Sequence, residues 1–392
     1  VRVTHLSLAD FRNYESAELD LSPGANLLVG SNGQGKTNLV EALGYLSTLG
    51  SHRVSVDHAM IRAGQGAAIV RARLEHGERS ILAEVQINRS SANRAQINRG
   101  AIKTRELPRY FSSVLFAPED LALVRGEPSG RRKFLDELLV LRSPRLSGVI
   151  ADYERVLKQR NSLLKSARVS GVRSSGLSTL EIWDDRLVVI GSQIIEARTA
   201  LVAELLPEVD AAYTAIAGQM HSAALTNSLS VLSTSVDNDD DVDATSESYT
   251  GGIVSAEVAE RHFRSALERR RRDELLRGIT LVGPHRDDLV LTLNGLPARG
   301  YASHGESWSF ALSLKLASAA VLRRESTTGD PVLILDDVFA ELDDSRRGRL
   351  AAAVADYEQV IITAAVFDDV PPALAGHVVR IRAGRILEEG EE

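Results

Sequence analysis

The segment Gly30-Ser31-Asn32-Gly33-Gln34-Gly35-Lys36-Thr37 restricts the fold more than any other stretch of this chain. It satisfies the phosphate-loop pattern G-x-x-x-x-G-K-[ST], after the apolar run Leu27–Val29 and at the start of a helical pattern, Lys36–Leu49. Glycines let backbone N–H groups wrap a β-phosphate, and the helix N-terminus adds partial positive charge. Lys36 then reaches the β- and γ-phosphates, and the Thr37 hydroxyl binds Mg2+. Strand, loop and helix in this order predict an α/β fold around a nucleotide.

A nucleotide site of this type needs a carboxylate at the end of a neighbouring strand. Val332–Leu335 followed by Asp336 and Asp337 supplies it. Asp336 is placed to hold Mg2+ through water, and Asp337 to orient or deprotonate the attacking water. Any buried strand can end in Asp, so this motif informs only when paired with the loop. The two motifs lie much farther apart than in compact kinases and GTPases. Between them, Tyr301–Ser307 leads into the helical pattern Trp308–Leu322. Ser303 and Glu306 form a capping box; alternatively, Ser303 and the free N–H groups of this helix bind a γ-phosphate held by another subunit. Glu341-Leu342-Asp343 follows the double Asp, as in ATPases that sandwich two nucleotides between paired heads. The order and spacing favour an ABC-type head.

Composition sets the outer limits. The chain has 392 residues, 44% hydrophobic and 25% charged, which predicts two or three ordinary globular domains and excludes a largely disordered chain. The uncharged stretch Val360–Val366, extended to Phe367, is too short to span a bilayer, and the N-terminal residues show no signal-peptide pattern. Without cysteine there are no disulfides, Cys–zinc sites or thiol chemistry, and the cytoplasm is the expected location. A net charge of −7 argues against a uniformly basic nucleic-acid binder but leaves room for local basic faces.

Along the chain, Val1, Val3, Leu6 and Leu8 alternate imperfectly, and Leu19/Leu21, Ile69–Leu74, Ile81–Asn88 and Arg94–Asn98 continue a strand pattern. Asn98-Arg99-Gly100 predicts a tight hairpin. The first hundred residues are thus expected to form a mixed sheet with one crossover helix. From Leu146 to Leu164 and from Leu180 to Leu205 apolar residues recur three and four apart, predicting two helices packed as an antiparallel hairpin across the Ser/Gly-rich stretch 170–178. Five aspartates within Asp237–Asp243 cannot pack together, so this stretch is expected to be a mobile loop; as a Ca2+ site it lacks the order and closing Glu of an EF-hand. A helix carrying Arg269–Arg272 follows. Strands are expected at Ile279, Val332–Leu335 and Val360–Thr363, with a final hairpin over Val378–Leu387 turning at Ala383-Gly384.

These motifs together resemble the RecF family, DNA recombination and repair ATPases related to the structural-maintenance-of-chromosomes (SMC) proteins. Leu6-Ser-Leu8-Ala-Asp-Phe11-Arg12-Asn13-Tyr14 matches the family's opening motif, and the phosphate loop continues into Asn38-Leu39-Val40-Glu41-Ala42. Phe116–Leu121 followed by Arg131–Asp136 is a second block, with Glu119 the candidate for the Q-loop position. Gly283-Pro284-His285-Arg286-Asp287-Asp288 is the most distinctive. The resemblance implies an ABC-type P-loop ATPase head, a mixed β-sheet with helices, interrupted by an inserted helical arm. The expected bounds are 1–118 and 278–392 for the head and 119–277 for the arm. It further implies ATP and Mg2+ as cofactors, an ATP-dependent homodimer that holds gapped or junction DNA, slow hydrolysis, and action in gap repair with RecO and RecR, with no membrane. Carried over, Arg12 and Asn13 lie beside the nucleotide with Gly30, Ser31, Asn32, Gly33, Gln34, Gly35, Lys36, Thr37 and Asn38, while Ser303 and Gly305 form the signature that acts in trans. Lys36, Asp336 and Asp337 carry catalysis; Thr37 and Asp336 hold the metal. Two positions depart from the ABC pattern: Glu306 replaces the signature's Gln, and Thr363 stands near the place of the histidine that follows the last core strand.

DNA contacts are expected on basic faces: Arg89, Arg94, Arg99, Lys103, Arg105 and Arg109, then Arg131–Lys133, then Arg269–Arg272. Each cluster serves equally as a solvated face or as partners for local acids. No aromatic ladder interleaves the arginines, so phosphate contact is expected over base stacking. His285, Arg286 and Asp287 read either as a buried hinge or as a binding group. A P-loop small-molecule kinase, another SMC-like head and a nucleotide-binding scaffold that never hydrolyses are the alternatives.

Overall fold

The computed structural model describes residues 1–170, 178–218, 221–233, 252–326 and 329–387. The chain groups into two compact units, one of Val1–Val124, Glu208–Ser222 and Ser303–Glu392, the other of Arg125–Pro207 and Ala223–Ala302. The expected linker around 170–178 and the aspartate run 237–243 fall largely or wholly outside the described residues.

In the first unit, strands β1 (Arg2–Phe11), β2 (Tyr14–Asp20) and β3 (Gly24–Val29) precede helix α1 (Lys36–Thr48). Strands β4 (Ala67–His76), β5 (Arg79–Asn88), β6 (Arg94–Ile97) and β7 (Gly100–Ile102) complete an antiparallel sheet of order β2-β1-β4-β5-β6-β7. The imperfect alternation at the start of β1 has a structural cause: its register against β4 shifts between Val3 and His5, a bulge that returns Leu6 and Leu8 to the buried face. The β6–β7 turn uses Asn98 and Arg99, both left-handed (φ 49° and 68°), and Gly100 is already in β7. Asn98 compensates by accepting the Leu82 N–H on its side-chain oxygen, at 2.8 Å.

β3 does not join this sheet, so the expectation of one mixed sheet over the first hundred residues is corrected. It lies in a second sheet of order β15-β14-β3-β13-β12-β8, formed by β8 (Ser113–Phe116), β12 (Val332–Asp336), β13 (Gln359–Ala364), β14 (His377–Arg382) and β15 (Arg385–Leu387). All pairs are parallel except the edge hairpin β14–β15. Every residue of β12 and β13 is buried, which is why both read as continuous apolar runs and not as alternating ones. α1 packs against β8, β12 and β13. The short α2 (Leu121–Arg125), the long α8 (His304–Glu325) and α9 (Asp344–Val354) complete the helices used below.

The second unit is helical around a small sheet. α3 (Pro128–Arg142), α4 (Leu146–Ser170), α5 (Ser178–Ala217) and α6 (Ala256–Arg277) supply the helices. Arg160 meets Asp184, and a Cβ on Gly191 would touch Tyr153; as one index rises the other falls, so α4 and α5 run antiparallel as expected. Tyr153, Val156, Leu187, Val188, Ile194 and Ile195 form their shared core with Phe263 of α6.

Residues 279–287 are not a strand. Gly283 takes φ 124° and Pro284 follows, so the strand β10 starts only at Asp288 and runs to Leu293. β10 pairs with β9 (Ala223–Ser228) and, through the left-handed turn Asn294-Gly295, with β11 (Leu296–Pro297), ahead of the single-turn α7 (Ala298–Tyr301). This pairing places 278–302 in the helical unit and not with the C-terminal half of the head. Conversely, the end of α5 belongs with the first unit, where Tyr213 packs edge-on against Phe310. No helix among the described residues is long and apolar enough to cross a membrane.

Candidate active site

The phosphate loop springs from β3 between β13 and β14, at the carboxyl ends of parallel strands, where α/β sheets bind ligands. Two of its glycines, Gly30 and Gly35, are there for space. A Cβ on Gly30 would overlap the Ile381 carbonyl oxygen, and one on Gly35 (φ 111°) would lie 2.6 Å from the Tyr14 hydroxyl and 2.9 Å from the Asn13 amide. Ser31, Asn32 and Gly33 form the exposed rim of the loop. Gln34 ties it to the C-terminal hairpin: its side-chain oxygen accepts the Ala383 N–H, and its carbonyl accepts the Gly384 N–H at 3.1 Å.

Lys36 opens α1 and is buried, with Nζ donating to the carbonyls of Gly30 at 2.5 Å and Ser31 at 3.1 Å. Burial pulls its pKa down, against the pull of Asp337 and Asp336. Thr37 Oγ1 donates to Asp336 Oδ1 at 3.1 Å across the gap between α1 and β12. Thr363, opposite Asp336 on β13, donates to the same oxygen at 2.6 Å and accepts the Asp337 N–H at 2.9 Å. Thr363 thus braces both acids. Asp337 is held left-handed (φ 54°), an uncommon state for a non-glycine residue. Burial pushes its carboxyl pKa up; Lys36 opposes this, while Asp336, Glu341 and Asp369 add to it. A carboxylate so tuned is suited to taking a proton.

The residue set fits Mg·ATP by the chemistry of its donors. A hydroxyl and a carboxylate meet beside a loop of backbone N–H groups, and no cluster of three metal-ligating side chains exists among the described residues. Mg2+ in such sites is completed by phosphate oxygens and water, so a protein-only cage is not required.

Arg12 and Asn13 take different places. Arg12 Nε and Nη2 donate to the buried Glu41 of α1 at 2.7 and 2.5 Å, so its guanidinium is committed to that acid. Asn13 Oδ1 accepts from Asn38 at 2.7 Å, and its amide lies against Gly35 and Gly384. Sequence reasoning missed Glu41 as a hub and the Ser51-His52-Arg53 segment beside it. Ser51 Oγ donates to Glu41 at 2.5 Å, and Arg53 donates to Asn38 at 2.9 Å. His52 Nε2 lies 3.8 Å from Asp336 Oδ2.

Ser303 caps α8: its Oγ accepts the Glu306 N–H at 3.3 Å, and Glu306 accepts the Ser303 N–H at 2.7 Å. These bonds hold the Glu306 carboxyl below its ordinary pKa. Gly305 is covered by the Arg346 guanidinium, 2.7 Å from where its Cβ would be; Arg346 in turn pairs with Asp343, the N-cap of α9. Among the described residues Ser303 and Gly305 make no hydrogen bond to the phosphate loop of their own chain. Glu119 is exposed in the turn Pro118–Asp120 after β8.

The basic clusters divide. Arg131 is buried and bidentate to Asp288 at 2.7 Å, Arg132 donates to the Asp287 carbonyl at 2.8 Å, and Arg271 pairs with Asp184, so these three build the second unit. Arg94, Arg99, Lys103, Arg105 and Arg109, and on α6 Arg269 and Arg272, are exposed. His285 and Asp287 are core groups: His285 bonds the Tyr153 hydroxyl at 2.7 Å, and Asp287 Oδ1 accepts Ser230 N–H and O–H, each at 2.8 Å.

Comparison with known proteins agrees with this architecture. The family model described as RecF/RecN/SMC N terminal domain matches residues 2–373. The DNA replication and repair protein RecF of Clavibacter sepedonicus is 65% identical over 386 residues, covering 98% of this chain and 95% of that protein. RecF of Leifsonia xyli subsp. xyli is 64% identical, covering 99% and 100%. Among solved structures, the recombination mediator protein RecF-ATPrS in the RecFOR pathway superposes with a TM-score of 0.84 at 27% identity, covering 98% of this chain and 97% of that one. The Smc head domain of Pyrococcus furiosus, with a TM-score of 0.53 at 15% identity, covers 98% of this chain and 95% of that one and shares the fold. Matched along nearly its whole length, the chain belongs to the RecF family of SMC-like, ATP-binding ATPases.

Proposed function

We propose that this protein is an ATP-gated DNA clamp and mediator of recombinational gap repair. ATP with Mg2+ closes a homodimer on DNA at junctions of single and double strand, and slow hydrolysis reopens it. RecO and RecR are its partners, in the cytoplasm. The relatives' description as DNA replication and repair proteins and the RecFOR setting of the solved neighbour support this reading.

The observation that carries it is the division of the site. Lys36, Thr37, Asp336 and Asp337 converge on one phosphate loop, while Ser303 and Gly305, among the described residues, make no hydrogen bond to it. In this reading Lys36 and the loop hold the phosphates, Thr37 and Asp336 hold the metal, and Asp337 takes the proton of the attacking water. Asn13 and Asn38 border the nucleotide, and Arg12 acts through Glu41. Ser303 and Gly305 meet the γ-phosphate of the opposite subunit, a helix N-terminus facing an anion. Binding energy of the γ-phosphate is then spent on joining two heads, and hydrolysis releases them.

The test is binding to a gapped duplex with ATP, ADP or no nucleotide at two salt concentrations, with dimerisation followed by light scattering. Binding that needs ATP and weakens steeply with salt is expected. Lys36→Ala abolishes nucleotide binding, whereas Asp337→Asn binds ATP and stays dimeric. A dimer that forms equally well without ATP refutes the gating. Phosphoryl transfer to a small metabolite by a monomer would make the protein a kinase instead.

A further inference from the structure

Asp336 is almost fully buried and unevenly served. Its Oδ1 accepts two hydroxyl protons, from Thr37 at 3.1 Å and Thr363 at 2.6 Å. Its Oδ2 faces the imidazole of His52, whose Nε2 lies 3.8 Å away, beyond hydrogen-bond range. That Nε2 is itself buried and has no hydrogen-bond partner. Two donors on one oxygen fix a point; a donor on the second oxygen would fix the plane of the carboxylate.

The segment around His52 is held from both sides. Ser51 Oγ donates to Glu41 Oε1 at 2.5 Å and accepts the N–H groups of Arg53 at 3.0 Å and Val54 at 3.2 Å. Arg53 Nη1 donates to Asn38 at 2.9 Å and lies 3.6 Å from Glu41. Glu41 is fully buried and clamped by Arg12. The backbone at His52 is therefore anchored to α1, the same helix that carries Lys36 and Thr37, and Nε2 stands less than an ångström beyond bonding distance of Oδ2.

We propose that His52 is a positioning residue of the metal half of the site: with Mg2+ and ATP held, its Nε2–H donates to Asp336 Oδ2 and locks the orientation of that carboxylate. Hydrogen bonds to the outer side of a metal-side ligand set its direction and are costly to lose. The inference rests on the reading of Asp336 and Thr37 as the metal-side pair.

The experiment is equilibrium binding of a fluorescent ATP analogue to the full chain, titrated with Mg2+, together with thermal melting without nucleotide. In the native protein Mg2+ strengthens binding. His52→Leu keeps the volume and removes the donor; it should raise the half-saturating Mg2+ concentration about ten-fold or more, with metal-free affinity and melting unchanged. His52→Gln, whose amide reaches where Nε2 does, should restore most of the response. If His52→Leu does not fold, His52→Asn, whose amide stops one bond short, takes its place with the same expectation. An unchanged Mg2+ response in the donor-less variant overturns the proposal, as does a Gln variant no better than it, or equal loss of metal-free binding. A native protein indifferent to Mg2+ refutes the metal reading beneath it.

Discussion

Thr363 lies opposite Asp336 in the parallel register of β13 and β12, and its hydroxyl donates to the Asp336 carboxylate at 2.6 Å. The same oxygen accepts the N–H of the left-handed Asp337, so one side chain sets both acids. Thr363→Val keeps the shape and leaves that N–H unpaired. A stability loss of about 1–3 kcal/mol is expected in denaturant unfolding, with ATP turnover falling more than ATP affinity. Thr363→Ser should retain both; a Val variant with native turnover would remove the brace from the mechanism.

Gly35 and Tyr14 are coupled through space. The Tyr14 hydroxyl is buried without a partner and occupies the volume a Gly35 Cβ would need. Gly35→Ala is expected to lose nucleotide binding, while Tyr14→Phe alone is neutral or mildly stabilising. The double variant should recover part of the loss, a coupling of about 0.5–3 kcal/mol in a double-mutant cycle. Recovery stays incomplete, because the ring Cζ and the Asn13 amide would still lie 2.9 Å from the added Cβ and φ 111° remains unfavourable for alanine.

Arg160 is fully buried between Asp184 and Glu274, each at 2.6 Å, with Thr280 at 2.8 Å. Burial lowers its pKa, but Glu274 and Asp184 outweigh that and leave it raised. Glu274→Ala removes one of the two acids on this charge, leaving Asp184 shared between Arg160 and Arg271, and also unties the Leu281 N–H. A loss of about 3–5 kcal/mol is expected in the melting of the full chain, whereas Arg155→Ala, an exposed pair with Asp152, should change little.

His285 and Asp287 give opposed pH dependences. Burial pushes the His285 pKa down to about 3, so the unfolded chain takes up the proton first and stability falls as pH drops below 6.5. Burial pushes Asp287 up to about 6, so the folded chain takes up the proton first and stability rises as pH drops from about 6 towards 3.8. Over their shared range the two offset each other. Asp287→Asn removes the second, and its melting temperature relative to the native protein should decline steadily as pH falls from 6 to 4. A constant difference between the two proteins would contradict this.

Exposed and buried arginines should separate in DNA binding. Arg99→Ala and Arg105→Ala are expected to weaken binding to a gapped duplex and each to lower the salt slope by about one where a phosphate contact is lost. Arg131→Ala should act through stability instead, since its guanidinium holds Asp288 at the start of β10. Salt slopes equal to the native one in both surface variants would exclude that face.

The parts legible in the sequence were those with a local cause. The phosphate loop, the buried runs ending in Asp336 and Thr363, the capping box at Ser303 and the Ala383-Gly384 turn each follow from short-range chemistry. The two long helices followed from their apolar spacing. What was not legible depends on partners distant in the chain. That β3 leaves the first sheet is decided by β13 and β14; that Arg12 serves Glu41, and Arg131 serves Asp288, is decided by packing. The β10–β11 hairpin did carry a signal, Asn294-Gly295, which the strand pattern placed around Ile279 obscured.

The neighbours of β3 have a bearing on biosynthesis. The strand that launches the phosphate loop pairs on one side with Gln359–Ala364 and on the other with His377–Arg382, and the loop itself is tied to Ala383 and Gly384. A nascent chain leaving the ribosome therefore carries the nucleotide motif long before it can seat it. The second unit, whose β9–β10 pairing is complete by residue 293, has its strand partners before β13 and β14 are made. Truncated products that retain the entire motif but end before Gln359 should therefore hold no nucleotide.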